Sequence, residues 1–312
     1  MNSYVPVPKR ELLARKGREI GSAALHYTVV VSMSFVFLYP MLYLLSKSFM
    51  LSRDVADATV QWIPKGLSID NFILAFDLLN YWPHFANSMT ISVGGALLQA
   101  LGCAVAGYGF ARYRVPGYPL LLLLLLFTFL VPPQPLVVPL LLFFSDLHWT
   151  NTYLPFLVPS LFGHGLRGAL FVLVYMQFFR GLPNQMEEAA KIDGAGALRI
   201  FAQIMLPLAR PAIVVVVLFS IVWHWNDTFL PNLYLMRGTE LTLNQVLGIV
   251  ATQAALDETG LGGAGDVLGA LPTTRENMSA AALLTILPIL LLYLFAQRYF
   301  VEGVERTGIA GE

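Results

Sequence analysis

The sequence is poor in the residues that soluble chemistry needs. Only 12% of its 312 residues are charged, the formal net charge is zero and there is one cysteine. With so few charges and no basic block, a nucleic-acid surface is excluded. The lone Cys103 rules out an intrachain disulfide and a multi-cysteine metal centre; inside an apolar run it reads as a small buried filler. No histidine or cysteine pair stands at metal-ligand spacing, so no metal site is expected. Also missing are H-E-x-x-H, G-x-S-x-G and G-x-x-x-x-G-K-[ST], which removes the metalloprotease helix, the hydrolase elbow and the nucleotide-binding P-loop. The chain is not expected to be an enzyme.

What it has in abundance is apolar surface: 57% hydrophobic residues and a mean hydropathy of +0.67, above the apolar share of soluble domains. About 20 apolar residues cross the hydrocarbon of a bilayer, and six such runs lie near 25–47, 87–110, 118–144, 153–179, 211–235 and 279–300. The first outlasts a signal-peptide core, and no small-x-small cleavage site follows, so it reads as an uncleaved span. The expected fold is all-α, a polytopic membrane protein with six transmembrane helices over 25–303, an N-terminal segment 1–24 and a tail 304–312. Lysine and arginine set its orientation. Thirteen of the nineteen fall on the side holding both termini and residues 180–210, which is therefore the cytoplasmic side; 236–278 is then an extracytoplasmic loop.

Between spans four and five runs "EEAAKIDGAGALRIFAQIMLP", residues 187–207. Asn184 followed by Glu187 reads as an N-cap with a capping-box partner. Glu187 and Lys191 fall on a solvent side, and Met186, Ala189, Ala190 and Asp193 on another stripe. Gly194 is positioned to stop this helix. Leu198, Phe201, Ala202 and Met205 make a second periodic run that breaks at Pro207. The segment 184–205 is thus a helix-turn-helix elbow. On spacing alone it also reads as an interfacial linker that only anchors two spans.

The order Glu188-Ala189-Ala190, three residues, Gly194, nine residues, Ile204, one residue, Leu206-Pro207 resembles the complete EAA signature of permease subunits of binding-protein-dependent ABC importers. "LPNQMEEAAKIDGAG", "WHWNDTFLPNLYL" at 223–235 and "QRYFVEG" at 297–303 resemble the maltose-type carbohydrate branch. The likeness implies that the elbow is a coupling helix docking on a cytoplasmic ATPase. Glu188, Ala189, Ala190 and Gly194 would carry that role, with Asp193 more loosely, and Glu187, Leu206 and Pro207 within the same motif region. It further implies a homodimeric ABC ATPase holding ATP and Mg²⁺, so that this chain binds no cofactor. A second, different permease, an extracytoplasmic sugar-binding protein and the lipid of a prokaryotic plasma (inner) membrane complete the expected surroundings.

Polar residues inside spans are costly and face a pathway or a neighbouring helix. Trp223, Trp225, Asn226 and Asp227 of span five are the pathway candidates, the indoles for sugar rings and the polar pair for hydroxyls. The other reading is that the tryptophans pack or join an aromatic belt and Asn226 joins helices. Contacts from the second permease are a further alternative. Arg167 reads as snorkelling to the interface, with flanking glycines able to open a polar pocket around it and His164. His224 reads as a satisfied membrane histidine, and Pro132, Pro133 and Pro135 as a kink in span three. Trp62, Pro64, Phe72 and Trp82 in 48–86 are expected to form a small outer cap, and the glycine-rich 257–269 a solvated loop. With no charged cluster inside the spans, neutral cargo is expected. A glycerol phosphate importer would need a basic pocket, an ion-driven secondary transporter would need paired internal acids where only Asp227 stands, and a structural anchor would leave the polar content of span five unused.

Overall fold

A computed structural model describes residues 9–57, 59–114, 116–132, 134–236, 240–258 and 274–308, and the described residues form helices with one isolated antiparallel bridge, Met50 to Leu67. Three helices are long and apolar enough to cross a membrane, Arg18–Ser48, Tyr81–Arg112 and Arg275–Tyr299, and two bent pairs raise the number to as many as five. The expected spans three, four and five are each interrupted. Span three breaks between Leu130 and Gln134, at the prolines that withhold backbone donors. Span four is divided into Leu154–Leu161 and Gly168–Arg180. Its irregular stretch holds Gly163 at φ +73° and Arg167 at φ +61°, left-handed conformations that cannot continue a helix. Span five runs over Arg210–Asn226 and resumes as Phe229–Tyr234.

The chain divides into two compact units. One comprises Met1–Ile73 with Thr274–Leu283. Within it the end of the first helix is tied to the following loop: Asn71 Nδ2 donates to the carbonyls of Ser48 at 2.9 Å and Met50 at 2.8 Å, and the Asp54 carboxylate accepts the backbone N–H of Lys65 at 2.9 Å. Trp62 sets its edge against Tyr39, and Phe72 packs on Phe49. The Lys65 ammonium, with Thr59, holds the Asp57 carboxyl well below the usual carboxylate range.

The other unit, Leu74–Thr273 with Leu284–Glu312, is organised around the Gly95–Arg112 helix, which packs most extensively on Gly168–Arg180 and then on Arg210–Asn226. Small residues allow the approach. A Cβ added at Gly107 would meet Tyr175 Cβ at 2.5 Å, and one at Gly102 would meet the Leu161 carbonyl oxygen at 2.2 Å. Lipid gives helices no hydrophobic reason to associate with each other, so such close van der Waals contact carries the packing. Trp82 belongs here too, against Phe76 and Phe85 at the start of a helix that begins at Tyr81 rather than 87.

Residues 236–278 are not all loop: Leu243–Glu258 is a helix. It opens with a reciprocal capping box, in which Thr242 N donates to Gln245 Oε1 at 2.9 Å and Gln245 N to Thr242 Oγ1 at 3.3 Å. Leu243 N donates to Ser88 Oγ at 2.8 Å, which anchors that helix. Residues 259–269 of the expected solvated loop lie outside the described residues.

The two neighbouring glycines Gly107 and Gly109 give a matched test, because a Cβ at Gly109 meets nothing within 4 Å. Gly107→Ala is expected to cost about 1–3 kcal/mol through overpacking and to lower the melting temperature of the purified chain in detergent. Gly109→Ala is expected to leave it unchanged.

Candidate functional site

The elbow begins at Gln185–Ile192 and turns on Gly194, whose φ of +79° only glycine adopts without strain. Gly194 N donates to the Lys191 carbonyl at 3.0 Å and Ala195 N to the Ala190 carbonyl at 2.9 Å, the paired bonds of a Schellman stop. A second run, Ala197–Leu208, widens to a π-turn over Phe201–Met205 and meets Arg210–Asn226 at a bend of 76°. Pro207 lacks the N–H that a regular turn would use, and the wider turn lies immediately before it.

The base of the elbow is buried. Ile200, Phe201, Met205 and Ala209 join one core with Tyr108 and Phe179, and the Tyr108 ring stands 5.2 Å from that of Phe201 and 5.4 Å from that of Phe179. Arg112, at the end of the long helix, clamps the entry to the elbow. Its Nε lies 2.9 Å from Glu187 Oε1, with the two side chains only 8% and 9% exposed. Those two atoms meet as charges without an aligned hydrogen bond, while the other guanidinium nitrogens donate to Leu182 O at 2.8 Å and to Asn184 Oδ1.

This geometry corrects the local reading. Asn184 sits in helical conformation and makes no side-chain cap; its oxygen serves Arg112 instead. Glu187 is neither a capping partner nor on the solvent side, because the buried guanidinium draws its carboxylate inward. Ala190 is buried as well, whereas Met186, Ala189 and Asp193 of the same expected stripe are exposed. Leu198 and Ala202, placed by their spacing with Phe201 and Met205, are exposed. Glu188, Lys191 and Gly194 are exposed alongside Ile192 and Leu198, which are 87% and 81% exposed. Leu206 is half-buried and Pro207 exposed. Ile192 and Leu198 are thus large aliphatic side chains left bare on the elbow.

The four candidates of span five separate. Trp225 is buried, and its indole N–H donates to Thr285 O at 3.3 Å. Trp223 is half-buried against Phe171, at 5.3 Å between ring centroids. Asn226 is exposed, and Asp227 Oδ1 accepts the backbone N–H of Phe229 at 2.9 Å, capping the helix that follows.

Only Asp227 of these four lines the larger cavity, about 680 Å³, which opens at the breaks of spans three and four. His164, Arg167 and His224 line it too. The Arg167 guanidinium lies over the Trp223 ring, 5.7 Å from the centroid. Behind the cavity the irregular backbone is satisfied by side chains of the long helix and span five. Gln99 Nε2 donates to Leu166 O at 2.9 Å, Ser220 Oγ donates to Gln99 Oε1 at 2.6 Å, and His224 Nδ1 stands 2.8 Å from Ser220 O. A smaller cleft of about 490 Å³ is lined by amides and hydroxyls, among them Thr228, Asn232, Asn244 and Thr252. Sequence reasoning missed Gln99, although an amide inside an apolar run was a visible signal. It counted Arg112 only for orientation, because nothing in a single sequence pairs it with Glu187.

Residues 100–306 match the family described as "Binding-protein-dependent transport system inner membrane component". Similar proteins include the arabinooligosaccharides transport system permease protein AraQ of Halalkalibacterium halodurans, 30% identical over 89% of this chain and 93% of that one. The diacetylchitobiose uptake system permease protein NgcG of Streptomyces coelicolor is 29% identical over 91% and 88%. The maltodextrin transport system permease protein MdxG of Bacillus subtilis is 28% identical over 91% and 95%. Among solved structures, a chain of a bacterial ABC transporter involved in import of the acidic polysaccharide alginate superposes with a TM-score of 0.72 at 22% identity, covering 96% of this chain and 100% of that one.

Removing one member of a buried ion pair strands the other and costs about 3–5 kcal/mol. Arg112→Gln is therefore expected to loosen the elbow and to raise trypsin cleavage at the exposed Lys191 and Arg199 by about tenfold or more, each 1.4 kcal/mol being about tenfold. The exchange Arg112→Glu with Glu187→Arg is expected to recover part of the protection that Arg112→Glu alone loses, which peptide mapping of timed digests measures.

Proposed function

Because the chain belongs to the family of binding-protein-dependent transport system inner membrane components, we propose that its elbow is the coupling element through which an ATPase drives carbohydrate across the membrane. The chain is a membrane-embedded permease subunit of an ABC importer, a transport component that works with an ATPase and a substrate-binding protein. The finer assignments are these. The ATPase is a homodimer that holds ATP and Mg²⁺, the second permease is a different chain, and both termini and the elbow are cytoplasmic. The basic residues gathered on that side support the orientation.

One observation carries the coupling role: an elbow whose inner face is locked to the spans by Arg112, Phe201 and Met205 presents Ile192 and Leu198 bare on its outer face. Force applied to such a face is delivered to the Gly95–Arg112 and Arg210–Asn226 helices. Glu188, Ala189, Asp193 and Gly194 share that outer face and are the ATPase contacts, while Glu187 and Ala190 hold the elbow from inside, Leu206 and Pro207 carrying the bend into span five. Carbohydrate is the cargo of the relatives named above, and an amide- and hydroxyl-lined cleft beside Asn226 and Thr228 suits a polyhydroxylated solute.

Glu188→Arg reverses an exposed charge and Gly194→Val forces a β-branched residue into a left-handed turn. Each is expected to abolish co-purification of the ATPase and ATP-driven uptake while leaving membrane insertion intact. Quantitative mass spectrometry of the tagged complex, with two ATPase copies per copy of wild-type chain expected, provides the measurement; normal uptake in both variants overturns the assignment.

A further inference from the structure

Arg167 is a cation without a carboxylate: among the described residues no acidic group lies within ion-pair distance of its guanidinium. It is held all the same. A left-handed backbone at φ +61° turns the chain at the break of span four, and the side chain rests on the Trp223 ring. A guanidinium stacked on an aromatic face keeps its in-plane N–H donors for another partner, and their fork matches a carboxylate bidentately. That partner has room, because Arg167 lines the cavity of about 680 Å³, within the roughly 300–1,000 Å³ typical of ligand sites. Asp227, the acid on the same wall, has Oδ1 committed to the backbone N–H groups of Phe229 and Leu230. His164 and His224 add imidazoles to the lining, and the remaining walls are largely aliphatic and aromatic.

The backbone that carries the site is closely packed, while the Arg167 and His164 side chains that line the cavity are exposed. A Cβ at Gly165 would meet Ser160 Oγ at 2.6 Å and Gln99 Nε2 at 2.8 Å, and one at Gly168 would meet the Gly163 carbonyl oxygen at 2.1 Å. The loop that carries Arg167 is therefore seated directly on the Gln99 and Ser220 network. Ionisable groups in such places mark substrate pathways.

We propose that this cavity is a sugar subsite selective for acidic saccharides, in which Arg167 pairs with the carboxylate of a uronic-acid unit while Asp227 and His164 face its hydroxyls. The assignment rests on the carbohydrate-import reading and replaces the expectation of neutral cargo. A phosphate ester shares the negative charge. Among the described residues the lining holds a single guanidinium and no lysine, which fits one carboxylate and leaves a dianionic phosphate undercompensated.

The test is calorimetric titration of the purified assembled transporter in lipid nanodiscs, without its binding protein, using trigalacturonate, maltotriose and glycerol 3-phosphate. Saturable binding of trigalacturonate is expected, at least about tenfold tighter than maltotriose or glycerol 3-phosphate and at least about tenfold weaker in Arg167→Gln, a loss of about 1.4 kcal/mol. Arg167→Lys keeps the charge without the fork and is expected to weaken binding several-fold; if Arg167→Gln does not assemble, this variant carries the test. Absence of trigalacturonate binding, equal binding of maltotriose, tighter binding of glycerol 3-phosphate, or unchanged binding in the substituted transporter overturns the proposal. Stimulation of ATP hydrolysis by a loaded saccharide-binding protein is measured on the same preparation. Retained stimulation with a failed titration discards the acidic subsite alone, and loss of both discards the import reading as well.

Discussion

A buried guanidinium and a carboxylate 2.9 Å apart join two parts of the chain that are distant in sequence. Arg112 ends the long central helix, and Glu187 lies in the first turn of the elbow. Neither charge has water to fall back on, so the pair is stable only when both are in place. Together with the Tyr108 and Phe201 rings it makes the elbow a stiff continuation of the helices behind it. A flexible linker would absorb displacement, whereas a stiff one passes it on, as the proposed coupling role requires.

The same requirement for internal satisfaction shapes the opposite end of the central helix. Non-helical backbone within an apolar layer is tolerated where protein groups replace water. Gln99 spends one end on a carbonyl of the 162–167 stretch and the other on Ser220, so a single amide stabilises the break in span four and joins it to span five. The cavity and its arginine exist because that break is supported. Small residues on the central helix make the arrangement compact, since Gly102 and Gly107 let the flanking backbones approach to contact.

Legibility in the sequence followed locality. The Gly194 stop, the proline break of span three and the helical, membrane-spanning character were readable because each depends on a few adjacent residues or on composition. Asn184 and Glu187 looked like a capping box because the local spacing allowed it, but a tertiary partner outbid the cap, and the capping box stands at Thr242 and Gln245 instead. Leu198 and Ala202 were grouped with Phe201 and Met205 by a periodicity that a short helix with a π-turn does not keep. The break at Gly163 and Arg167 was hidden by averaging hydropathy over a window longer than the interruption, although its glycines were in plain view. The sorting of Trp223 from Trp225 depends on which faces meet across three helices, and no single stretch encodes it.

Cys103 is fully buried in the central helix, its sulfur 3.5 Å from the Gly168 carbonyl oxygen and 3.8 Å from that of Gly163. Since thiol oxidation and alkylation require access, the folded chain is chemically silent toward both. Its native sequence thereby already serves as an unlabelled background on which a thiol probe placed at Ile192 or Leu198 reports alone.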